Sequence, residues 1–527
     1  MRSIFLTVLT LSFFQLIAQP TWLHTSSEMM PIYEADFIMN DTVHTSIRPF
    51  SYSDLGELSA VTHDTFVPPG KWHERFWKTD LLHYDEGPFE ITVNPAVNLG
   101  LGWDFTEDWG YTYTNTRGVF AHGKIGEKFG FYTGFYENQA LYNRYVWDAY
   151  NGKRVLPAFG LKRGFYGNAW DYYWAHGMMQ YKPTHYLELF AGHGRNFIGE
   201  GHRSLLLSDN AFNYFHFGAA LKFKHFKYVV IHPFLNDLRR DLEVNGAYRK
   251  KYQAVHYLSL NLGKKLNIGL FESITYGDTS RAVNSQFEFN YLNPVIFWRA
   301  IEYSQGSQRG NAMLGLNVSY KFNKQIALYG QFALDEWKLS EIRAGNGWWA
   351  NKYAIQLGVK GYDVLLDGLH YRLEYNQVRP YMYAHKLELL NYGHFQQSMA
   401  HPLGANFREW IGILQYDSER WQWRAHAVYY RKGEDINGEN YGSDVFESYD
   451  TRVQDYGNEI GQGGLKEVLF VDLSSAYMVN PKWMTQLKIG VILRSESRAY
   501  DAGFTGGTQA MPYIALRHQL FNQYLDF

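Results

Sequence analysis

Cysteine is absent from all 527 residues. That excludes a disulfide framework, a thiolate metal centre, covalent heme attachment and a lipid-anchored N-terminal cysteine. Long apolar runs are also missing. Beyond the N-terminus nothing approaches the ~18 uninterrupted apolar positions of a membrane helix, so the chain is either soluble or crosses a membrane as strands. Neither sign of charge dominates, with 50 basic against 52 acidic residues, and nothing marks a nucleic-acid partner. No phosphate-binding glycine loop opens a helix. The 20 histidines lack the i, i+4 pairing or thiolate company of a zinc site, so no metal and no other cofactor is expected.

What is present begins with Met1-Arg2-Ser3, an apolar stretch from Ile4 to Ile17 broken only by Thr, Ser and Gln, and Ala18 before Gln19-Pro20. A basic start, a short apolar core and a small residue make a secretory signal over residues 1–18 rather than a spanning helix. The chain is 18% aromatic, with 42 Tyr, 36 Phe and 16 Trp, yet its mean hydropathy is -0.37. Strands that alternate between lipid and a polar lumen produce that combination, with Tyr and Trp crowding the headgroup levels. A large secreted β-enzyme shares the composition, and the order along the chain separates the two.

From about residue 86 the sequence reads as aromatic-rich runs joined by loops of two unequal sizes. Tight joints fall at Gly126-Glu127-Lys128, Lys182-Pro183-Thr184, Lys224-His225, Gly263-Lys264-Lys265, Asn323-Lys324, Gly361-Tyr362-Asp363, Asp417-Ser418-Glu419 and Asn480-Pro481-Lys482, each built from turn-forming residues and lysine. Between them lie longer segments near 142–169, 195–210, 237–249, 277–309, 336–349, 378–405, 431–464 and 494–510. Short periplasmic turns and long outer loops define outer-membrane barrels, and eight short turns flanked by both termini predict about eighteen strands. The expectation is an all-β, transmembrane antiparallel barrel over residues 86–527, long loops outside and both termini in the periplasm.

Single strands carry the period-two pattern. Trp483, Thr485, Leu487, Ile489, Val491 and Leu493 share one face; Gln486, Lys488, Gly490 and Arg494 share the other. Ala312, Leu314, Leu316, Val318, Tyr320 and Phe322 oppose Asn317, Ser319 and Lys321, while Leu369, Tyr371, Leu373 and Tyr375 oppose His370, Arg372, Glu374 and Asn376. Such charges suit a wet lumen better than a small sandwich core. Phe521, Leu525 and Phe527 are predicted on one face of a last strand whose terminal Phe resembles the signal read by the barrel-assembly machinery. Residues 19–85, with Pro31, Pro49, Pro68 and Pro69, read as a mostly irregular periplasmic segment or partial plug, with a short helix possible over 52–61.

Several stretches, in order, resemble the RemB family of gliding-motility outer-membrane proteins of the Bacteroidetes, itself similar to the Wzi capsule-assembly barrels. They are His44-Thr45-Ser46-Ile47-Arg48-Pro49, residues 192–199 running into Arg203-Ser204-Leu205-Leu206-Leu207-Ser208-Asp209, Asn293-Pro294-Val295 with Arg299-Ala300-Ile301-Glu302-Tyr303, Leu334-Asp335-Glu336-Trp337, residues 344–349, and Ala400-His401-Pro402-Leu403-Gly404-Ala405-Asn406-Phe407. The resemblance implies an eighteen-stranded outer-membrane barrel with a periplasmic extension. It further implies polysaccharide binding at the cell surface or a part in gliding, and supplies no catalytic residue.

The candidate recognition surface lies in the long loops. Trp348-Trp349 offers flat rings for stacking on sugar C–H groups, although girdle tryptophans look the same. Trp337, Asp335 and Glu336 precede them; the acidic pair suits hydroxyls or a cation, or is simply solvated. Arg195, His202 and Arg203 sit among Gly194, Gly199 and Gly201, which let a loop fold tightly, inward over the lumen. Either arginine could hold an acidic polysaccharide, or pair internally with Glu200, Asp209 or lumen carboxylates, which is the reading the residues favour. His202 and Ser204 are near in sequence, but no base-and-orienter pattern makes them a hydrolase. The expected function is non-enzymatic: surface attachment or assembly of polysaccharide, with adhesin or motility components as further partners. A passive diffusion channel and a scaffold contacting other proteins through 19–85 are the alternatives.

Overall fold

The computed structural model describes residues 22–23, 26–39, 42–51, 79–106, 108–239, 246–277, 287–294, 310–480, 483–501, 506–518 and 522–527. The expected leader and the expected helix over 52–61 lie outside the described residues. The alternating runs form one closed antiparallel barrel of eighteen long strands. These are β1 (Phe89–Asp104), β2 (Gly110–Ile125), β3 (Phe129–Leu141), β4 (Trp170–Tyr181), β5 (Leu187–Gly194), β6 (Tyr214–Lys222), β7 (Phe226–Asp237), β8 (Arg249–Leu262) and β9 (Leu266–Tyr276). They continue as β10 (Gly310–Lys321), β11 (Ile326–Glu336), β12 (Lys352–Gly361), β13 (Leu369–Val378), β14 (Phe407–Ser418), β15 (Trp421–Glu434), β16 (Gly464–Asn480), β17 (Thr485–Arg498) and β18 (Thr508–His518). Each strand pairs with the next in sequence, and β18 closes on β1 from Tyr513↔Gly102 to Arg517↔Asn98.

All eight tight joints fall where consecutive strands meet at one end, with Pro481 and Lys482 of the last joint outside the described residues. Gly126 and Gly263 sit there at φ 60 and 70, a left-handed conformation that glycine adopts without strain. The remaining connections gather at the opposite end. One of them, between the end of β1 at Asp104 and the start of β2 at Gly110, is as short as a tight joint, and at its start Asp104 Oδ1 accepts from the Thr106 backbone N–H (2.9 Å).

Burial inverts the order of a soluble protein. On β17 Gln486 and Lys488 are buried, while Leu487 and Ile489 are 47% and 61% exposed. On β13 His370, Arg372, Glu374 and Asn376 are buried and Leu373 faces out; on β10 Asn317 and Ser319 are buried and Leu316, Tyr320 and Phe322 face out. Large exposed side chains such as Leu101, Leu357, Leu373, Leu414 and Ile489 form an apolar exterior of the kind that a bilayer covers favourably. Among the described residues no helix is long and apolar enough to cross a membrane; the strands make the wall.

The core is therefore the lumen, and among the described residues four pieces of chain fill it, with Val155, Leu156 and Phe159 of a long connection packed against them. Residues 26–51 carry α1 (Met30–Met39), begun with Pro31 in its first turn, where a missing N–H costs nothing. Tyr33, Glu34, Phe37 and Ile38 are buried, while Pro31, Ile32, Ala35 and Asp36 on the other face are partly exposed; with Glu34 on the buried face and Ile32 on the other, the sequence shows no amphipathic signature. Residues 195–213 cross the interior, with Leu205, Leu206 and Leu207 fully buried. Residues 379–406 pack on them: Tyr383 and Tyr392 donate hydroxyl hydrogens to the carbonyls of Leu205 (2.8 Å) and Leu206 (2.7 Å). Inside the barrel Phe197–Ile198 pairs with Ile47–Arg48 as a two-stranded ribbon.

The fourth piece corrects an expectation. The closing strand ends at His518, and residues 522–527 turn into the lumen rather than extending it. Tyr145 donates to the Leu525 carbonyl (2.7 Å) and Arg494 Nε to that of Phe527 (3.1 Å). The Phe527 ring packs against Tyr145 and Tyr150 of α2 (Arg144–Tyr150). Phe527 is thus held by aromatic and hydrogen-bonded contacts inside the folded barrel and is not part of the closing strand. Phe521 lies outside the described residues.

Charge fixes the N-terminal segment. Glu34 meets Arg372 (2.6 Å), Lys360 (3.1 Å) and Arg48 (3.6 Å) and accepts from the Tyr362 hydroxyl. Glu28 meets Lys488 (3.0 Å), Arg517 (3.3 Å) and Arg424 (3.6 Å). Burial alone would raise the Glu34 carboxyl, but Arg372, Lys360 and Arg48 outweigh it and hold it at about 2 against an ordinary 4.5. A lowered folded value stabilises above the unfolded one and is lost as pH falls from about 4.5 toward 2, a swing on the order of 3 kcal/mol. Amide protection factors of 26–39 and 42–51, corrected for the intrinsic slowing of exchange as pH falls, should therefore decrease across that interval, and Glu34→Gln should both loosen the segment at neutral pH and flatten its pH response. An unchanged wild-type profile from pH 5 to 2.5 contradicts the assignment.

Candidate functional site

The inward course of residues 195–213 depends on close approach. A Cβ at Gly201 would lie 2.4 Å from Glu374 Oε2 and 2.7 Å from the Arg203 carbonyl oxygen, and Gly199 has φ 155, so glycine at both positions suits this close approach to the wall. Glu374 on β13 accepts from the backbone N–H groups of His202 (2.7 Å) and Arg203 (3.1 Å). Gln356 Nε2 donates to the Arg203 carbonyl (3.0 Å) and Leu205 N–H to Gln331 Oε1 (2.8 Å). The wall thereby supplies the partners that a buried loop needs.

At the centre Arg203 lies between Glu409 of β14 (3.2 Å) and Asp526 of the tail (2.9 Å), with its guanidinium 4.8 Å from the Tyr524 ring centre. His401 Nε2 sits 2.7 Å from the other Glu409 oxygen. Tyr524 donates its hydroxyl hydrogen to Asp209 (2.7 Å), and Asn522 Nδ2 donates to the same carboxylate (2.8 Å). Burial by itself would raise the Asp526 carboxyl, but Arg203 and the neighbouring imidazoles hold it well below the ordinary carboxylate range. Burial pushes the His202 imidazole down despite Asp526. Beside this network a cavity of about 290 Å³ opens against the β18–β1–β2 wall, where Gly100, Gly102, Thr112 and Thr114 leave room.

The residues singled out from the sequence separate into two places. His202 and Arg203 are buried in the lumen, out of reach of an external polymer. Arg195 spends a hydrogen bond on the Asp209 carbonyl (2.8 Å) and packs over Trp174. Asp335 is buried against Lys352 (3.1 Å) and accepts from Tyr383 N–H (3.2 Å), so it holds a strand end instead of offering oxygens outward. Glu336 shares Lys352 at 3.5 Å and stays partly exposed. Ser204 donates its hydroxyl hydrogen to the Ile198 carbonyl (2.5 Å), which leaves it no role as a nucleophile activated by His202.

The tryptophans lie at the long-loop end. Trp349 is sandwiched, with Tyr449 4.7 Å and the Arg452 guanidinium 4.3 Å from its ring. Trp348 is half-buried with Lys338 5.4 Å from its ring centre, and Trp337 is 52% exposed. Backbone bonds zip this segment to a second loop: Gly457 N–H to Asn346 O, Asn458 N–H to Gly347 O and Trp349 N–H to Asp455 O, each 2.9 Å. They bring the exposed Tyr456 into the neighbourhood of Trp348. Sequence reasoning missed Tyr456, His426 and Asp526; only the inward parity of His426 on β15 was available as a signal.

No protein-family profile matches the chain, and no curated protein matches it by sequence. Its structure resembles Wzi, an Escherichia coli outer membrane protein involved in group 1 capsule assembly and described as a carbohydrate-binding β-barrel. The TM-score is 0.55 at 10% identity, covering 95% of this chain and 100% of the other. OprD of Pseudomonas aeruginosa superposes at a TM-score of 0.42 and 10% identity over 81% of this chain and 94% of the other. OpdK of the same organism superposes at 0.44 and 9% over 81% and 98%. The fold is that of an outer-membrane β-barrel.

Removing one partner of the central pair leaves an uncompensated buried charge, which costs roughly 3–5 kcal/mol. Arg203→Ala should therefore lower the unfolding temperature of the detergent-solubilised barrel markedly. Arg195→Ala, which breaks a single bond to a carbonyl, should cost about 1 kcal/mol. Equal effects from the two would show that Arg203 is not the keystone described.

Proposed function

We propose that this protein is a non-enzymatic outer-membrane barrel that binds or anchors polysaccharide at the cell surface, in capsule-like assembly or in gliding. The observation that carries the reading is the filled lumen. Residues 26–39, 42–51, 195–213, 379–406 and 522–527 occupy it, so small-solute diffusion is disfavoured and the long-loop end is left as the working surface. The sequence resemblance to RemB-like gliding proteins and the shared fold with a carbohydrate-binding capsule protein support the same choice. In this topology the leader 1–18 is removed, residues 19–85 enter from the periplasm, and the long loops face outward.

Trp337, Trp348 and Tyr456, with Glu336 and the Arg452-backed Trp349 beside them, form the aromatic and polar surface that suits sugar rings. Purified protein should retain the producing cell's own exopolysaccharide on a glycan surface, and Trp348→Ala with Tyr456→Ala should weaken retention by about tenfold, the loss of roughly 1.4 kcal/mol. In planar bilayers the protein should be silent. A steady ohmic conductance from the intact chain, with no polysaccharide retention, would overturn the reading in favour of a diffusion channel.

A further inference from the structure

Beside the Arg203 network three side chains converge, one of them the Asp526 carboxylate that Arg203 approaches. His202 comes from the inward loop, His426 from the lumenal face of β15, and Asp526 from the tail, and each is at least nine-tenths buried. His202 Nε2 lies 3.6 Å and His426 Nε2 3.4 Å from Asp526 Oδ2, and all three donor atoms fall within 4.8 Å of one another. The two imidazoles meet edge to face at 5.0 Å. Neither nitrogen of His202, nor His426 Nε2, nor either oxygen of Asp526 has a hydrogen-bond partner among the described residues. Arg203 approaches Asp526 Oδ1 to 2.9 Å without hydrogen-bond alignment. One buried atom from each residue converges on a single point, and buried polar atoms without partners are costly unless something there accepts them.

We propose that His202, His426 and Asp526 form a binding site for a late first-row divalent cation of the zinc type. Two imidazoles and one carboxylate are a known donor set for such ions, which leave a fourth position for water. Tetrahedral bonds of about 2.0–2.1 Å place donor atoms about 3.3 Å apart, close to the 3.4 and 3.6 Å observed here. The fourth position faces the 290 Å³ cavity, which all three residues line. Arg203 then serves as the outer partner of the ligating carboxylate, an arrangement that orients ligands at metal sites. Its positive charge is offset by Glu409 at 3.2 Å and by the Glu374 carboxylate beneath the loop. Arg424, the other nearby cation, faces Glu28 at 3.6 Å. The ion would clamp wall, loop and tail at one point.

The test uses untagged full-length protein in detergent, stripped with EDTA and titrated with Zn2+ and with Co2+ as a spectroscopic substitute. One equivalent of Zn2+ should survive gel filtration, and Co2+ should give the visible d–d bands of a low-coordinate site in competition with Zn2+. His426→Ala and Asp526→Asn should each weaken Zn2+ binding by at least ~100-fold, since even outer partners cost 10–100-fold. His225→Ala, at an exposed turn, should change nothing. Absence of retained zinc and of d–d bands in the wild type overturns the proposal without reference to any variant. Retention that persists in a folded His426→Ala protein overturns it equally, because the metal would then sit on surface histidines.

Discussion

Everything in this structure follows from the need to neutralise charge inside a closed wall. Strands that face lipid outward must turn their polar residues inward, and an eighteen-stranded cylinder has more interior than wall side chains alone can fill. Lys360, Arg372, Lys488, Arg517 and Arg424 project from the wall toward Glu34 and Glu28 of the N-terminal segment. Glu374 and Glu409 project toward His202 and Arg203 of the inward loop. Wall and filling are electrostatic complements: without the filling, the wall would carry facing rows of unpaired charge, and without the wall Glu28 and Glu34 would have no reason to be dry. Specific pairing of this kind fixes position more than it adds net stability.

The wall was legible in the sequence because its rules are local. Period-two alternation at Leu487 and Lys488, or at Leu373 and Arg372, states which side each residue faces, and glycines such as Gly126 and Gly263 mark where the chain reverses. The filling was not legible, because its rules are distant. Glu28 and Lys488 meet across 460 positions, and an inward lysine looks the same whether it meets water or a buried carboxylate. The helix at 30–39 escaped notice since Glu34 lies on its buried face and Ile32 on its partly exposed one, which erases the amphipathic period. The tail was misread as strand because Phe527 and Leu525 fit an alternating pattern, whereas the contacts that draw them inward come from Tyr145, Arg494 and Arg203, far away in sequence.

The candidate residues divide along the same line. Trp337 and Trp348 stand at the long-loop end, where a reading based on composition could find them. Arg203 and His202 were picked from the right loop, but their partners, Glu409, Asp526 and His426, come from two strands and the tail. That constellation exists only once the barrel has closed. The glycine-rich stretch carried the usable signal: Gly199 and Gly201 permit backbone to touch wall, and a loop that touches the wall brings its charged residues with it.

The ribbon formed by Ile47–Arg48 and Phe197–Ile198 gives the barrel a mechanical continuity. A tension applied to the N-terminal segment would load this ribbon, where Gly199 N–H bonds to Ser46 O at 2.9 Å. From there it would reach residues 379–406 through the bond from Ser208 N–H to Met399 O at 2.8 Å. Those residues lead to the loops that hold Trp348 and Trp349, since Arg379 Nε donates to the Asn351 carbonyl at 3.0 Å. Force would thus pass through a chain of backbone bonds completed by the Arg379 side chain, inside the wall of strands.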